Sequence, residues 1–191
     1  MKKLLGILVL GLFLITPSLA DDISEFEIEG MSIGDSALDF ATKEEIEKKK
    51  LNGFIYPNSK KFYSVTFRDT NKLKTFDGLQ FHLKADDKKY IIYDIMGQIY
   101  YEDNIEDCYK KKDEIYNELS EMFENAKKKD LGKKKHYMDP TSTVSKVIFQ
   151  LKTGRIMLVC YDWGEYKATD GLGVSVESTE FRNFINNEAY K

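Results

Sequence analysis

The chain has 191 residues, with 32 acidic side chains against 29 Lys and Arg, two His and two Cys. This mild negative balance argues against nucleic acid as a general partner, and two histidines leave little for a His-based zinc site or a Ser-His-Asp triad. One long apolar run lies at the start, and the remaining chain of about 170 residues suffices for one domain with its own core.

Residues 1–20 have the form of a signal peptide. Lys2 and Lys3 precede an apolar run over 4–15, and Ser18-Leu19-Ala20 supplies small residues for cleavage. The run is short for a membrane span, which needs about 20 apolar residues, so cleavage before Asp21 is expected, with no transmembrane segment afterwards. No cysteine follows the run, which argues against a lipid anchor. Loss of Lys2 and Lys3 takes the net charge from -3 to -5. The expectation is a periplasmic or secreted protein with one α+β domain over 21–191.

Residues 21–29 are acidic, with Ile23, Phe26 and Ile28 in loose alternation, and suit a short edge strand. Gly30 to Ser36 form a turn into a short helix over 37–41. Thr42 and Glu45 have the spacing of a capping box, opening a second helix to about Lys50. Asn52-Gly53 and Tyr56-Pro57-Asn58-Ser59 signal turns. Tyr63, Val65 and Phe67 then alternate with polar residues, as do Leu79, Phe81 and Leu83. Such alternation marks half-buried antiparallel strands, and His82 falls on the polar, solvent-facing phase.

Residues 90–96 are apolar in both phases and read as a central strand, joined to the preceding one by a polar hairpin over 85–89. Gly97 suggests a bulge or a close backbone approach. Asn104 is a good helix N-cap, with Glu106 and Asp107 in the first turn. Apolar residues from Ile105 to Ala126 recur at three- and four-residue spacing. This predicts a helix of about seven turns ending near Gly132, with lysines at its negative end. A basic loop follows, then strands over 144–151 and 155–163 joined at Lys152-Thr153-Gly154. A loop over 164–173 and a short strand over 174–177 lead to a final helix capped by Ser178, with Phe181, Phe184, Ile185 and Ala189 on one face. Hairpin then helix occurs twice. The resulting fold class is α+β: an antiparallel sheet of five to six strands, with the long helix and the C-terminal helix packed on one face.

Cys108 and Cys160 carry the strongest chemical signal. Two cysteines in an exported chain commonly pair. Each occupies the apolar phase of its own element, so a disulfide is expected, with two buried thiols as the alternative. Lys127, Lys128, Lys129, Lys133, Lys134 and Lys135 form a basic run beside His136. This is a candidate patch for an anionic surface such as phosphate-bearing lipid or polysaccharide, or else a solvated helix end and loop. Asp162, Trp163, Glu165, Tyr166 and Asp170 bring carboxylates beside aromatics in one loop. That combination suits sugar binding or an acid/base pair. Gly171-Leu172-Gly173 lacks the third glycine of a dinucleotide fingerprint. No nucleophile motif surrounds a serine, no residue set points to a metal or a cofactor, and no catalytic residue is assigned.

The leader, the Gly-Met-Ser-Ile-Gly-Asp-Ser opening at residues 30–36 and Cys108 in a Lys-rich helix together resemble uncharacterised exported bacterial proteins, domains of unknown function. The resemblance covers most of the mature chain and implies no activity. Gly30-Met31-Ser32 before short helices is also similar to the small lipoproteins of outer-membrane assembly, which carry a lipidated cysteine near their start; this chain has none. Two functions follow as expectations. One is a non-enzymatic binding or interaction module, its partner an unknown envelope protein or an anionic surface. The other is a small hydrolase acting on cell-wall or other polysaccharide, which needs two carboxylates facing across a pocket.

Overall fold

The structure, a computed structural model, describes residues 22–191 except 69, 103, 138, 166 and 167. Seven strands form one sheet: β1 (Phe62–Arg68), β2 (Gly78–Lys84), β3 (Ile92–Tyr100), β4 (Lys127–Lys135), β5 (Thr143–Gln150), β6 (Gly154–Asp162) and β7 (Gly171–Ser178). Their spatial order is β1-β2-β3-β7-β6-β5-β4, and each neighbouring pair is antiparallel. The helices are α1 (Lys43–Lys50), α2 (Ile105–Met122) and α3 (Thr179–Asn187), with 3₁₀ turns at Ile23–Glu25 and Ala37–Asp39. The expected α+β class and antiparallel sheet are present, with seven strands rather than five or six.

Side-chain alternation divides the sheet into two faces. Tyr63, Val65 and Phe67 of β1, Leu79, Phe81 and Leu83 of β2, Leu172, Val174 and Val176 of β7 and Ile156, Leu158 and Cys160 of β6 all point one way into the main core. The 3₁₀ turns, α1 and α2 supply the other half of that core through Ile23, Ala37, Ile46, Cys108, Ile115 and Leu119. The opposite phase carries Phe62, and here α3 packs with Phe181 and Phe184 in a second, smaller cluster. α2 and α3 therefore cover opposite faces. α3 covers the Phe62 end of the second face and leaves a groove farther along it.

Local signals account for most of the boundaries. Thr42 Oγ1 accepts from the Glu45 amide at 3.2 Å and the Glu45 carboxylate accepts from the Thr42 amide at 2.8 Å, completing the capping box of α1. Asn104 caps α2 and Ser178 caps α3. Gly97 is a close approach: a Cβ there would lie 2.5 Å from the Phe76 ring. Phe76 is held by Glu29, whose carboxylate accepts from the amides of Lys74, Thr75 and Phe76 at 2.7–2.9 Å.

The largest departure from the sequence reading follows Met122. The helix stops there, and Lys127–Lys135 form the edge strand β4 rather than a helix end and loop. The apolar stripe ends at Phe123 and Ala126, so further helical turns would bury almost nothing, while packing supplies most helical stability in proteins. β5 offers a ladder of backbone partners instead. Gly132, read as a helix stop, lies at the irregularity in β4 with φ +61, where a glycine carries no Cβ penalty.

Candidate functional site

The sheet registers place polar residues in a row beneath α3. Ser64, His82, Asp94, Glu177, Arg155 and Gln150 are successive cross-strand partners from β1 to β5. His82 Nδ1 lies 2.7 Å from Asp94 Oδ2, and the Arg155 guanidinium pairs with the Glu177 carboxylate. Burial pushes the Glu177 carboxyl up, Arg155 opposes that shift and Asp94 adds to it. His82, read from sequence as exposed, is buried because α3 covers this phase of the sheet; the Phe181 ring stacks on it at 4.6 Å.

Away from α3 the same face opens into a groove of about 680 Å³, within the range of roughly 300–1,000 Å³ usual for small-molecule sites. Gly171 and Gly173 of β7 form its floor. One wall carries Arg68, Gln98 and Tyr100, from β1 and β3; the other carries Tyr161, Trp163 and His136. Tyr161 and Trp163 are stacked with centroids 5.3 Å apart and planes 2° from parallel, and His136 meets the Trp163 ring edge-on at 5.0 Å. Burial raises the Tyr161 phenol, with Tyr137 adding to the shift. Phe54 and Tyr137, two of the exposed large apolar side chains at 49% and 85%, also line the groove and leave its rim aromatic.

The backbone around Trp163 is pinned from several sides. Its amide donates to Asp170 Oδ1 at 2.7 Å, the Gly164 amide to Ser142 Oγ at 2.9 Å and the Glu165 amide to Thr141 Oγ1 at 2.9 Å. Ser142 and Thr141 are themselves held by Asp139. These bonds tie the loop after β6 to the β4–β5 connection and hold Trp163 over the groove.

The sequence-derived candidates separate accordingly. Trp163 lines the groove, and Tyr166 falls outside the described residues. Asp170 is engaged by the Trp163 amide, and Glu165 is exposed. Asp162 lies on the α2 side of the sheet, where it contributes to the upward shift of the Tyr109 phenol that burial leads. No carboxylate is among the described residues that line the groove. Strand alternation accounts for the split: Cys160 and Asp162 point one way, Tyr161 and Trp163 the other. The groove residues Arg68, Gln98, Tyr100 and Tyr161 escaped the sequence reading because cross-strand register assembles them from three strands, β1, β3 and β6; an unexplained polar or aromatic residue in the outward phase was their only signal.

Cys108 and Cys160 form a disulfide with Cα atoms 6.0 Å apart, joining α2 to β6. The basic run lines the free edge of the sheet. Lys127, Lys129 and Lys134 share the groove side, whereas Lys128 donates to the Ser120 carbonyl of α2 and Lys133 lies 3.7 Å from the Tyr109 ring centroid. Among the described residues no three His, Cys, Asp or Glu are grouped to hold a metal ion, and no helix is long and apolar enough to cross a membrane. No protein-family model matches the chain, and neither a curated protein nor a solved structure matches it.

Proposed function

We propose that the chain is a non-enzymatic binding module, exported to the periplasm or the exterior, whose groove takes a saccharide. The stacked Tyr161–Trp163 pair over a glycine floor is the observation that carries this reading. Pyranose rings present flat C–H faces that pack on aromatic rings, while their hydroxyls need amide, guanidinium and phenol partners such as those of Gln98, Arg68 and Tyr100. The disulfide suits an oxidising compartment. A hydrolase of cell-wall or other polysaccharide is the less favoured alternative, since it needs two carboxylates facing across the groove.

Trp163 is the single tryptophan of the chain, so its fluorescence reports occupancy directly. Titration with a panel of neutral and charged oligosaccharides should shift that emission saturably, and Trp163→Ala should weaken binding, measured by calorimetry, at least ten-fold. A panel without any binder overturns the reading. Turnover of a bound oligosaccharide would favour the hydrolase.

The exposed lysines of β4 support a second contact, with an anionic envelope surface. Replacing Lys127, Lys129 and Lys134 with Gln should reduce envelope association, most visibly at low salt. Unchanged association would leave these lysines with a purely protective role at the sheet edge.

A further inference from the structure

The groove sits on a face whose charges are unevenly satisfied. The carboxylates of Asp94 and Glu177 are buried beneath α3 and paired with His82 and Arg155. The cations farther along the face have no such partner. Arg68 lines the groove, is exposed, and makes no ion pair among the described residues; its one charge-related contact is with the Tyr100 ring, 5.8 Å from the guanidinium carbon. Lys146 lies in the same cross-strand row as Arg68, reached through Gly78, Gln98, Gly173 and Val159. It is half-buried, makes no ion pair among the described residues, and its ammonium is pushed down by burial and then by Arg155. Lys134 extends the next row, beyond Gly171, Tyr161 and Val144. Among the described residues, this face thus carries a cation without an ion-pair partner in the groove wall, Arg68, and two more along the same and the adjacent row, Lys146 and Lys134.

Three polar groups converge at the Arg68 end. A Cβ on Gly78 would lie 3.1 Å from Gln98 Oε1, 3.1 Å from the Tyr100 hydroxyl and 3.6 Å from Arg68 Cγ. The glycine leaves the space over which all three side chains meet. The Tyr100 hydroxyl donates to Gln98 Oε1 at 3.2 Å, which leaves the Gln98 amide hydrogens free for a ligand. The Arg68 guanidinium offers a planar fork of donors that matches a carboxylate or sulfate oxygen pair.

From this convergence we infer that the ligand is an acidic saccharide, its ring packed on the Tyr161–Trp163 side and its anionic substituent held by Arg68 with Gln98. The inference rests on the groove being a saccharide site. It adds sign and polarity: the acidic group points toward β1, and the remaining rings run across Gly173 toward the Lys146 side.

The test uses the mature chain and three probes: trigalacturonate for a carboxylate, a heparin-derived tetrasaccharide for a sulfate, and galactotriose as the neutral control. Trp163 emission and calorimetry are read at low and physiological salt. At least one acidic probe should bind ten-fold or more tightly than galactotriose. Arg68→Gln should weaken that probe ten-fold or more but galactotriose, which loses only a hydroxyl contact, by less than three-fold, and Arg68→Lys should recover part of the difference. The preferred probe distinguishes a carboxylate ligand from a sulfate ligand. Gly173→Leu serves as the blocking variant, since a Cβ there meets Met96 and Tyr161 only at ordinary contact distances of 3.4 and 3.7 Å; it should abolish binding of every probe. Neutral and acidic probes binding equally, with Arg68→Gln silent and Gly173→Leu still blocking, would overturn the acidic inference and leave the saccharide site standing. Binding of no probe, or binding that survives Gly173→Leu, would overturn both.

Discussion

His82 and Asp94 meet at 2.7 Å with side chains only 11% and 7% exposed, and the next residue along their row is another carboxylate, Glu177. The imidazole therefore stands against two acids on one buried face. Removing it in His82→Ala leaves Asp94 without its partner beside Glu177 and removes the ring on which Phe181 stacks. Loss of one partner from a buried polar pair costs about 1–3 kcal/mol and more where charge is involved. Urea denaturation should register a loss of about 2–4 kcal/mol on that basis. Replacing both residues, as His82→Phe with Asp94→Leu, should recover most of it. A double variant as unstable as the single one would show that the row contributes something other than pairwise satisfaction.

The Cys108–Cys160 bridge closes a segment with a sequence separation of 52. The chain-entropy relation assigns a loop of that size about 4 kcal/mol. Unfolding of the Cys108→Ala, Cys160→Ala protein should therefore occur at clearly lower denaturant than that of the oxidised wild type, and reduction of the wild type should reproduce the shift. The oxidised protein should show no free thiol even when denatured without reductant.

β4 is an edge strand with an open outer side, the kind of edge that invites pairing with other chains. Its lysines oppose that by like-charge repulsion between approaching copies. Replacing Lys127, Lys129 and Lys134 with Thr, a good strand former, should leave the fold intact and produce concentration-dependent self-association in analytical ultracentrifugation. A strictly monomeric triple variant would assign edge protection to the irregularity at Gly132 instead.

Asp22 ties the start of the described chain to the β5–β6 turn. Its carboxylate accepts from the Ser24 amide and from the hydroxyls of Ser24 and Thr153, each at 3.0 Å. The Ser24 amide leads in holding its carboxyl below the ordinary aspartate range, burial opposing. A carboxyl depressed in the folded state contributes stability above its unfolded pKa and loses it as pH falls through the folded value. Asp22→Ala should therefore lower stability by about 1 kcal/mol at pH 7, a typical N-cap effect. The gap from wild type should close below about pH 4, where the carboxyl begins to protonate. A gap independent of pH would mean that packing of Ile23, not the charge, is responsible.

Periodic and capping signals made much of the architecture legible. Thr42 with Glu45, Asn104 and Ser178 open helices where their side chains predict, because these contacts span only two or three residues. The alternation of Tyr63, Val65 and Phe67 and of Leu79, Phe81 and Leu83 identified one buried face for the same reason. What escaped was decided at longer range. Alternation alone cannot reveal that a polar phase such as Gln80, His82 and Lys84 is covered by a helix about 100 residues later. Nor could Lys127 to Lys135 be recognised as a strand, since nothing in their composition favours one and β5 supplies the pairing. The loop read as a candidate site contributed Trp163, but its carboxylates do not line the groove, and the other wall came from β1 and β3.

The placement of β7 sets an order of events for the whole molecule. It pairs with β3 on one side and β6 on the other, and among the described residues it alone joins the two three-stranded meanders. A chain emerging from its N-terminus, whether from a ribosome or through a membrane pore, can form either meander early but cannot join them into one sheet until residues 171–178 arrive. The groove floor belongs to that same strand, so the groove does not exist before β7 is placed. The architecture keeps the sheet in two halves until β7 is delivered, and the strand that joins them is the one that makes the floor.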